Sequence, residues 1–136
     1  MNAFSEDFSF DFYKRICDIS KSIGSIVSMA DYEKKLDKEG CFFIWRHDID
    51  VSLDYALKMA KIERSLDISS TYMLIPDYSL YSIKEPKNQK LIREIEDMGH
   101  EIGLHFDINS INLNNKNVQN INTAIYKDLE KLNQIT

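Results

Sequence analysis

The stretch CFFIWRHDID, residues 41–50, decides how the rest of the chain reads. It is rich in aromatic and β-branched residues, which suit the pleated surface of a strand. Side chains on a strand alternate between faces. Arg46, Asp48 and Asp50 therefore share one face, and Phe43, Trp45, His47 and Ile49 share the other. An apolar face under helices with a polar mouth describes a strand of a parallel sheet, with His47 as the exception on the apolar side.

Working outward, Ser52 is placed to cap a helix over 52–66 that carries Leu53, Ala56, Leu57, Ala60 and Ile62 on one side. ISSTYMLI, residues 68–75, reads as a second strand ended by Pro76. Pro86 suits the start of a helix and Gly99 its end, with Leu91, Ile92, Ile95 and Met98 as the apolar stripe. HEIGLHF, residues 100–106, is a third strand, and after an Asn-rich loop a last helix starts near Val118. On the N-terminal side, Phe8, Phe12, Ile16, Ile19 and Ile23 predict a helix over 8–23 stopped by Gly24. A short strand over 25–29 and a polar helix over 31–39, ending at Gly40, complete the reading.

Strands and helices thus alternate, which predicts an α/β fold with a parallel sheet, open or closed into a barrel. Chemistry in such folds sits at the C-terminal strand ends. Those ends read Arg46-His47-Asp48-Ile49-Asp50, Ile75-Pro76-Asp77 and His105-Phe106-Asp107.

The 136 residues set a prior of one domain, and the 43% hydrophobic content allows a buried core. A net charge of −5 argues against nucleic acid or an anionic membrane surface as partner. The first residues, MNAFSEDFSFDFYKR, carry acids where a secretory signal carries bases, and no apolar run approaches the roughly 18 residues of a membrane span. A cytoplasmic location is expected. Cys17 and Cys41 are expected as two buried thiols rather than a disulfide.

Alternation also sorts the acids and histidines. His105 and Asp107 share a face with Glu101 and Gly103, whereas His100 points away. His105 is the candidate ligand; His100 reads as a satisfied histidine at the base of the strand, and His47 as packing or a supporting hydrogen bond. HEIGLH is not a zincin helix, because its histidines are five apart and not four. Asp48 and Asp50 could order the loop ahead of the next helix. Ser52 is available for that task, however, and paired carboxylates repel unless a cation or Arg46 offsets them. A carboxylate–imidazole set suits zinc, with Mn, Fe, Co or Ni as alternatives. Tyr78 and Tyr81 lie on a mouth-side loop, where ordinary packing competes with stacking on a sugar ring.

FIWRHDID, STYML and GHEIGLHFD together resemble the polysaccharide-deacetylase superfamily, the NodB homology or carbohydrate esterase 4 group, and most nearly a bacterial branch with an Arg-His-Asp-x-Asp motif. The resemblance covers about 42–107, within a core motif region of 41–107. It implies a parallel-stranded partial (β/α)7 barrel of the glycoside hydrolase/deacetylase type, one domain over 1–136 shortened at its C-terminal side. Its implied activity is metal-dependent removal of acetyl groups from a glycan or amino-sugar substrate. By position Asp48 resembles the family's general base and Asp50 and His105 its metal ligands, with Arg46 aligning Asp48. The family's second metal histidine is replaced by Asn109, so Asp107 is the substitute on the same face. The general acid and the later strands are expected outside this stretch, leaving open strand edges for a C-terminal half or for self-association. The alternative is a non-catalytic, sugar-binding relative.

Overall fold

The computed structural model describes residues 9–36, 40–110 and 117–136 of the chain. Strand β1 (Ser25–Val27) pairs in parallel with β2 (Phe42–Ile44), and β3 (Arg46–Ile49) pairs in parallel with β4 (Thr71–Leu74), which pairs in parallel with β5 (Glu101–Leu104). The fold is thus mixed α/β, with its strands in two small parallel sheets, and the described residues form no closed barrel.

The expectation of one strand over 41–50 is corrected: the run divides at Trp45. The Trp45 N–H donates to the Val27 carbonyl at 3.2 Å, while its carbonyl accepts from the Thr71 N–H at 2.9 Å. In an extended strand both groups of one residue face the same neighbour. A residue that serves two different strands must leave the regular extended geometry, and the strand changes partner there.

The helices form where capping and apolar spacing agree. In α1 (Phe10–Ile23) the Ser9 hydroxyl accepts from the Phe12 N–H at 3.0 Å. A short α2 (Glu33–Leu36) follows β1; the remainder of the helix expected over 31–39 falls partly outside the described residues. Ser52 caps α3 (Leu53–Ser65) as expected, and α4 (Pro86–Asp97) opens on its proline. Gly99 follows α4 with φ 90°, a left-handed conformation that costs a Cβ-bearing residue. Gly24 differs: its backbone is extended, and it is needed because a Cβ would overlap the Cys41 carbonyl. Asn117 caps α5 (Val118–Leu132).

The core lies on one face of the β3–β4–β5 sheet. Ile49, Tyr72 and Leu74 meet Leu53, Ala56, Leu57 and Ala60 of α3, Ile92 and Ile95 of α4, and Leu132 with Ile135 at the end of α5. Each of the leucines and isoleucines contributes about 1.5–3 kcal/mol when fully buried. The opposite face carries the register rows Arg46–Thr71–Glu101 and Asp48–Met73–Gly103. The chain after β1 crosses the lower row. Met29 N–H donates to Thr71 Oγ1 at 2.8 Å and Ala30 N–H to Glu101 Oε2 at 3.0 Å.

No helix among the described residues is long and apolar enough to cross a membrane. Both cysteines are free; Cys17 is buried as expected, but Cys41 is exposed.

Candidate metal and carboxylate site

Ile49, 6% exposed, is held in the core and so fixes the phase of β3. Its neighbours Asp48 and Asp50 are exposed. Arg46 grips Asp48 with two prongs, Nε to Oδ1 at 2.6 Å and Nη2 to Oδ2 at 3.0 Å. Two bonds fix both the position and the plane of the carboxylate. Because both partners are about 40% exposed, with 44% and 38% of their side-chain surface in solvent, the pair orients more than it stabilises.

Asp50, just past β3, meets His105, just past β5, across the intervening β4. Asp50 Oδ1 stands 3.2 Å from His105 Nδ1. The approach is close enough for an ion pair but is not aligned as a hydrogen bond, and Nδ1 is buried without a hydrogen-bond partner. The His105 N–H donates to the Leu74 carbonyl at 2.8 Å, which anchors its backbone to β4. Asp48, Asp50, Ser52, Tyr55 and Met59 line an adjoining cleft of about 370 Å³.

Asp107 is placed elsewhere. Its Oδ1 accepts from the Asn109 N–H at 2.9 Å, and it lines a separate cleft of about 330 Å³ with Asp77, Lys127, Asp128 and Lys131. The structure therefore brings Asp50 to His105 and Arg46 to Asp48, and it leaves Asp107 and Asn109 tied to each other. Among the described residues no group of three or more His, Cys, Asp or Glu side chains is placed to hold a metal. Tyr81 is packing, not a platform: it is 8% exposed, donates to the Ile49 carbonyl at 2.7 Å and accepts from the Ile75 N–H at 3.0 Å. Tyr78 packs edge-on against it, with ring centroids 5.8 Å apart.

Beneath the site, on the helix side of the sheet, lies a polar cluster that sequence reasoning missed. Its centre is Glu63 of α3, which is fully buried. Glu63 Oε1 accepts from the Tyr13 hydroxyl of α1 and lies 2.6 Å from His47 Nε2 of β3. Glu63 Oε2 accepts from Ser70 Oγ and from the Tyr72 hydroxyl of β4, both at 2.7 Å. His100 Nδ1 lies 3.5 Å from the same oxygen and 3.2 Å from Ser70 Oγ, and its Nε2 lies 3.1 Å from the Ala60 carbonyl. His100 is thus satisfied at the base of β5, as expected, and His47 makes the supporting contact. Glu63 was legible in principle, because Leu53, Ala56, Ala60 and Glu63 recur at helical spacing on the buried stripe of α3.

Burial alone would raise the Glu63 carboxyl, but the hydrogen bonds and charge of His47 and the donors Tyr13 and Ser70 outweigh it and hold it below the usual carboxylate range. Burial, reinforced by the charge on Glu63, pushes the Tyr13 and Tyr72 hydroxyls far above the ordinary tyrosine value, so they stay donors. Burial also pushes His100 down, favouring its neutral form.

No family model matches the chain, and no curated protein or solved structure matches it.

Proposed function

We propose that the chain carries the base and part of the metal site of a hydrolase that removes acetyl groups from a glycan or amino sugar. The observation that carries this reading is the pairing of Asp50 Oδ1 with His105 Nδ1 at 3.2 Å, the nitrogen lacking any hydrogen-bond partner. Two donors held about 2.0 Å from one zinc at a roughly tetrahedral angle stand about 3.3 Å apart. An orphaned, buried nitrogen at that separation from a carboxylate oxygen fits a shared cation. Asp50 and His105 would hold it, with water or substrate completing the coordination in place of Asp107.

A divalent metal bound there supplies Lewis-acid polarisation of an acetyl carbonyl and acidifies a water molecule. Asp48, which Arg46 holds in plane, would serve as the base that takes a proton from the attacking water. The cleft beside both aspartates gives the substrate a place to lie.

The architecture supports the same reading. Along the sheet the strands follow one another in chain order, β3–β4–β5, and the core helices pack on one face only. A doubly wound sheet reverses its order and covers both faces, whereas a (β/α) barrel does neither. We accordingly read the fold as part of a (β/α)7 barrel.

Among the described residues only two protein donors meet at the site, and this favours one second reading, a non-catalytic sugar-binding relative. The test is isothermal titration of the purified chain with zinc, followed by an assay for acetate released from acetylated chito-oligosaccharides. Zinc binding that is lost in Asp50→Asn and His105→Gln, with acetate release lost in Asp48→Asn, supports the hydrolase. Oligosaccharide binding that persists in all three variants without zinc supports the second reading. Absence of zinc binding by the unaltered chain sinks the hydrolase reading.

A further inference from the structure

The metal pair comes from two strands that are not neighbours, since β4 lies between β3 and β5. Something must fix how far apart, and in what phase, the ends of β3 and β5 are held. Main-chain pairing through β4 sets the register, but it leaves twist and curvature soft. On the helix side of the sheet, one carboxylate touches a side chain associated with each of the three strands.

We infer that Glu63 is a positioning residue for the Asp50–His105 pair. It acts through His47 on β3, through Ser70 at the start of β4 and through His100 at the base of β5, while resting on Tyr72 of β4. This inference rests on the proposed metal site.

The two oxygens divide the task. Oε1 serves His47 and the Tyr13 hydroxyl, which itself lies 3.2 Å from His47 Nε2. His47 sits between Arg46 and Asp48, so a fixed imidazole below the sheet fixes the direction in which its neighbours leave it above. Oε2 serves Tyr72 and Ser70, and the Ser70 backbone N–H donates in turn to His100 Nδ1 at 3.3 Å, while His100 Nε2 is held at the Ala60 carbonyl. His47 and Tyr72 rings lie 4.9 Å apart and Tyr72 and His100 rings 5.3 Å apart, so the row is packed as well as hydrogen-bonded. A fully buried carboxylate has a large desolvation cost unless every lone pair is engaged. Here the engaging groups come from three packed elements, α1, β3 and β4, and from the approach to a fourth, β5, so movement of one element is felt by the others.

The experiment measures zinc affinity, by competition with a chromophoric chelator, for the unaltered chain and for Glu63→Gln, His47→Asn and Tyr13→Phe. Glu63→Gln keeps the volume but can accept at only one end. Partners that orient metal ligands commonly change affinity by about 10–100-fold when altered. The expected result is a weakening of at least about tenfold in Glu63→Gln and a smaller one in Tyr13→Phe. The control is Ile95→Val, which loosens the same core without touching the cluster and should leave affinity unchanged. Equal affinity in all the cluster variants overturns the inference while leaving the metal site standing. Equal weakening in Ile95→Val also overturns it, because general softening would then suffice. If Glu63→Gln does not fold, Tyr13→Phe and His47→Asn decide, and unchanged affinity in both overturns it. No zinc binding by the unaltered chain removes the metal site itself and this inference with it.

Discussion

Tyr81→Phe removes one oxygen atom, and the structure fixes what that oxygen does. The hydroxyl donates to the Ile49 carbonyl and accepts from the Ile75 N–H, at 2.7 and 3.0 Å. It therefore ties the end of β3 to the end of β4 immediately before Asp50. Ile49 and Ile75 are 6% and 8% exposed, so water does not readily replace the lost partner. An orphaned buried N–H costs about 1–3 kcal/mol, and the carbonyl, with a second lone pair, costs less. The ring itself keeps its packing, so the whole loss should be about 3 kcal/mol. For a chain of 136 residues the unfolding entropy is about 0.3 kcal/mol per degree, and the melting temperature should fall by about 10 °C. Scanning calorimetry and urea unfolding followed by circular dichroism both measure it. Tyr78→Phe is the comparison, with an expected change within about 0.5 kcal/mol. Burial pushes the Tyr81 hydroxyl up to about 12, so it should ionise late in an alkaline absorbance titration. A loss of less than about 0.5 kcal/mol in Tyr81→Phe would refute the argument that this hydroxyl is the buried tie between the two strand ends.

Gly103→Ala should destabilise by about 1–3 kcal/mol, because the new methyl overlaps Met73 Sδ and lies 3.3 Å from its Cε. Met73→Ala in the same chain should recover part of that loss in urea unfolding, and an additive pair would count against the clash. Stability should fall on acidification in two stages. His100 is depressed by burial, so its contribution is complete above its ordinary value of 6.5 and declines below it; Glu63 is also depressed, so its contribution is complete above 4.5 and is lost as pH falls through its lower folded value. His100→Asn should flatten the first stage alone, as read from urea midpoints against pH. Arg46→Ala should change stability by less than about 1 kcal/mol, since its pair is half exposed. On the proposed function it should nonetheless lower acetate release by about 10²-fold through misplacement of Asp48.

Most elements could be read from local pattern because their signals are local. Ser52, Pro86 and Gly99 act within a turn of themselves, and the helices they bound are where spacing placed them. Face alternation separated His105 from His100 and put Arg46 beside Asp48. The division at Trp45 was not legible, because it depends on which strands lie on either side, and that is a long-range fact. Nor was the orientation of Asp107 legible: alternation predicts a face only while the strand continues, and β5 ends at Leu104. Beyond that point a short side-chain-to-backbone bond to Asn109 sets the direction. Glu63 was overlooked for another reason. A single acid on an apolar stripe is read as a solvated flank unless its partners are known, and they come from residues as distant in sequence as Tyr13 and His100.

The partner change at Trp45 has a practical side. The chain has one tryptophan, and it lies at the joint between the two sheets. Its indole ring is 6.2 Å from the His47 ring and 6.0 Å from that of Tyr13. The protein thus carries its own fluorophore within quenching range of the imidazole that reports to Glu63. A shift in emission with zinc or with acid would therefore register the state of the cluster directly, without a label and without waiting for the chain to unfold.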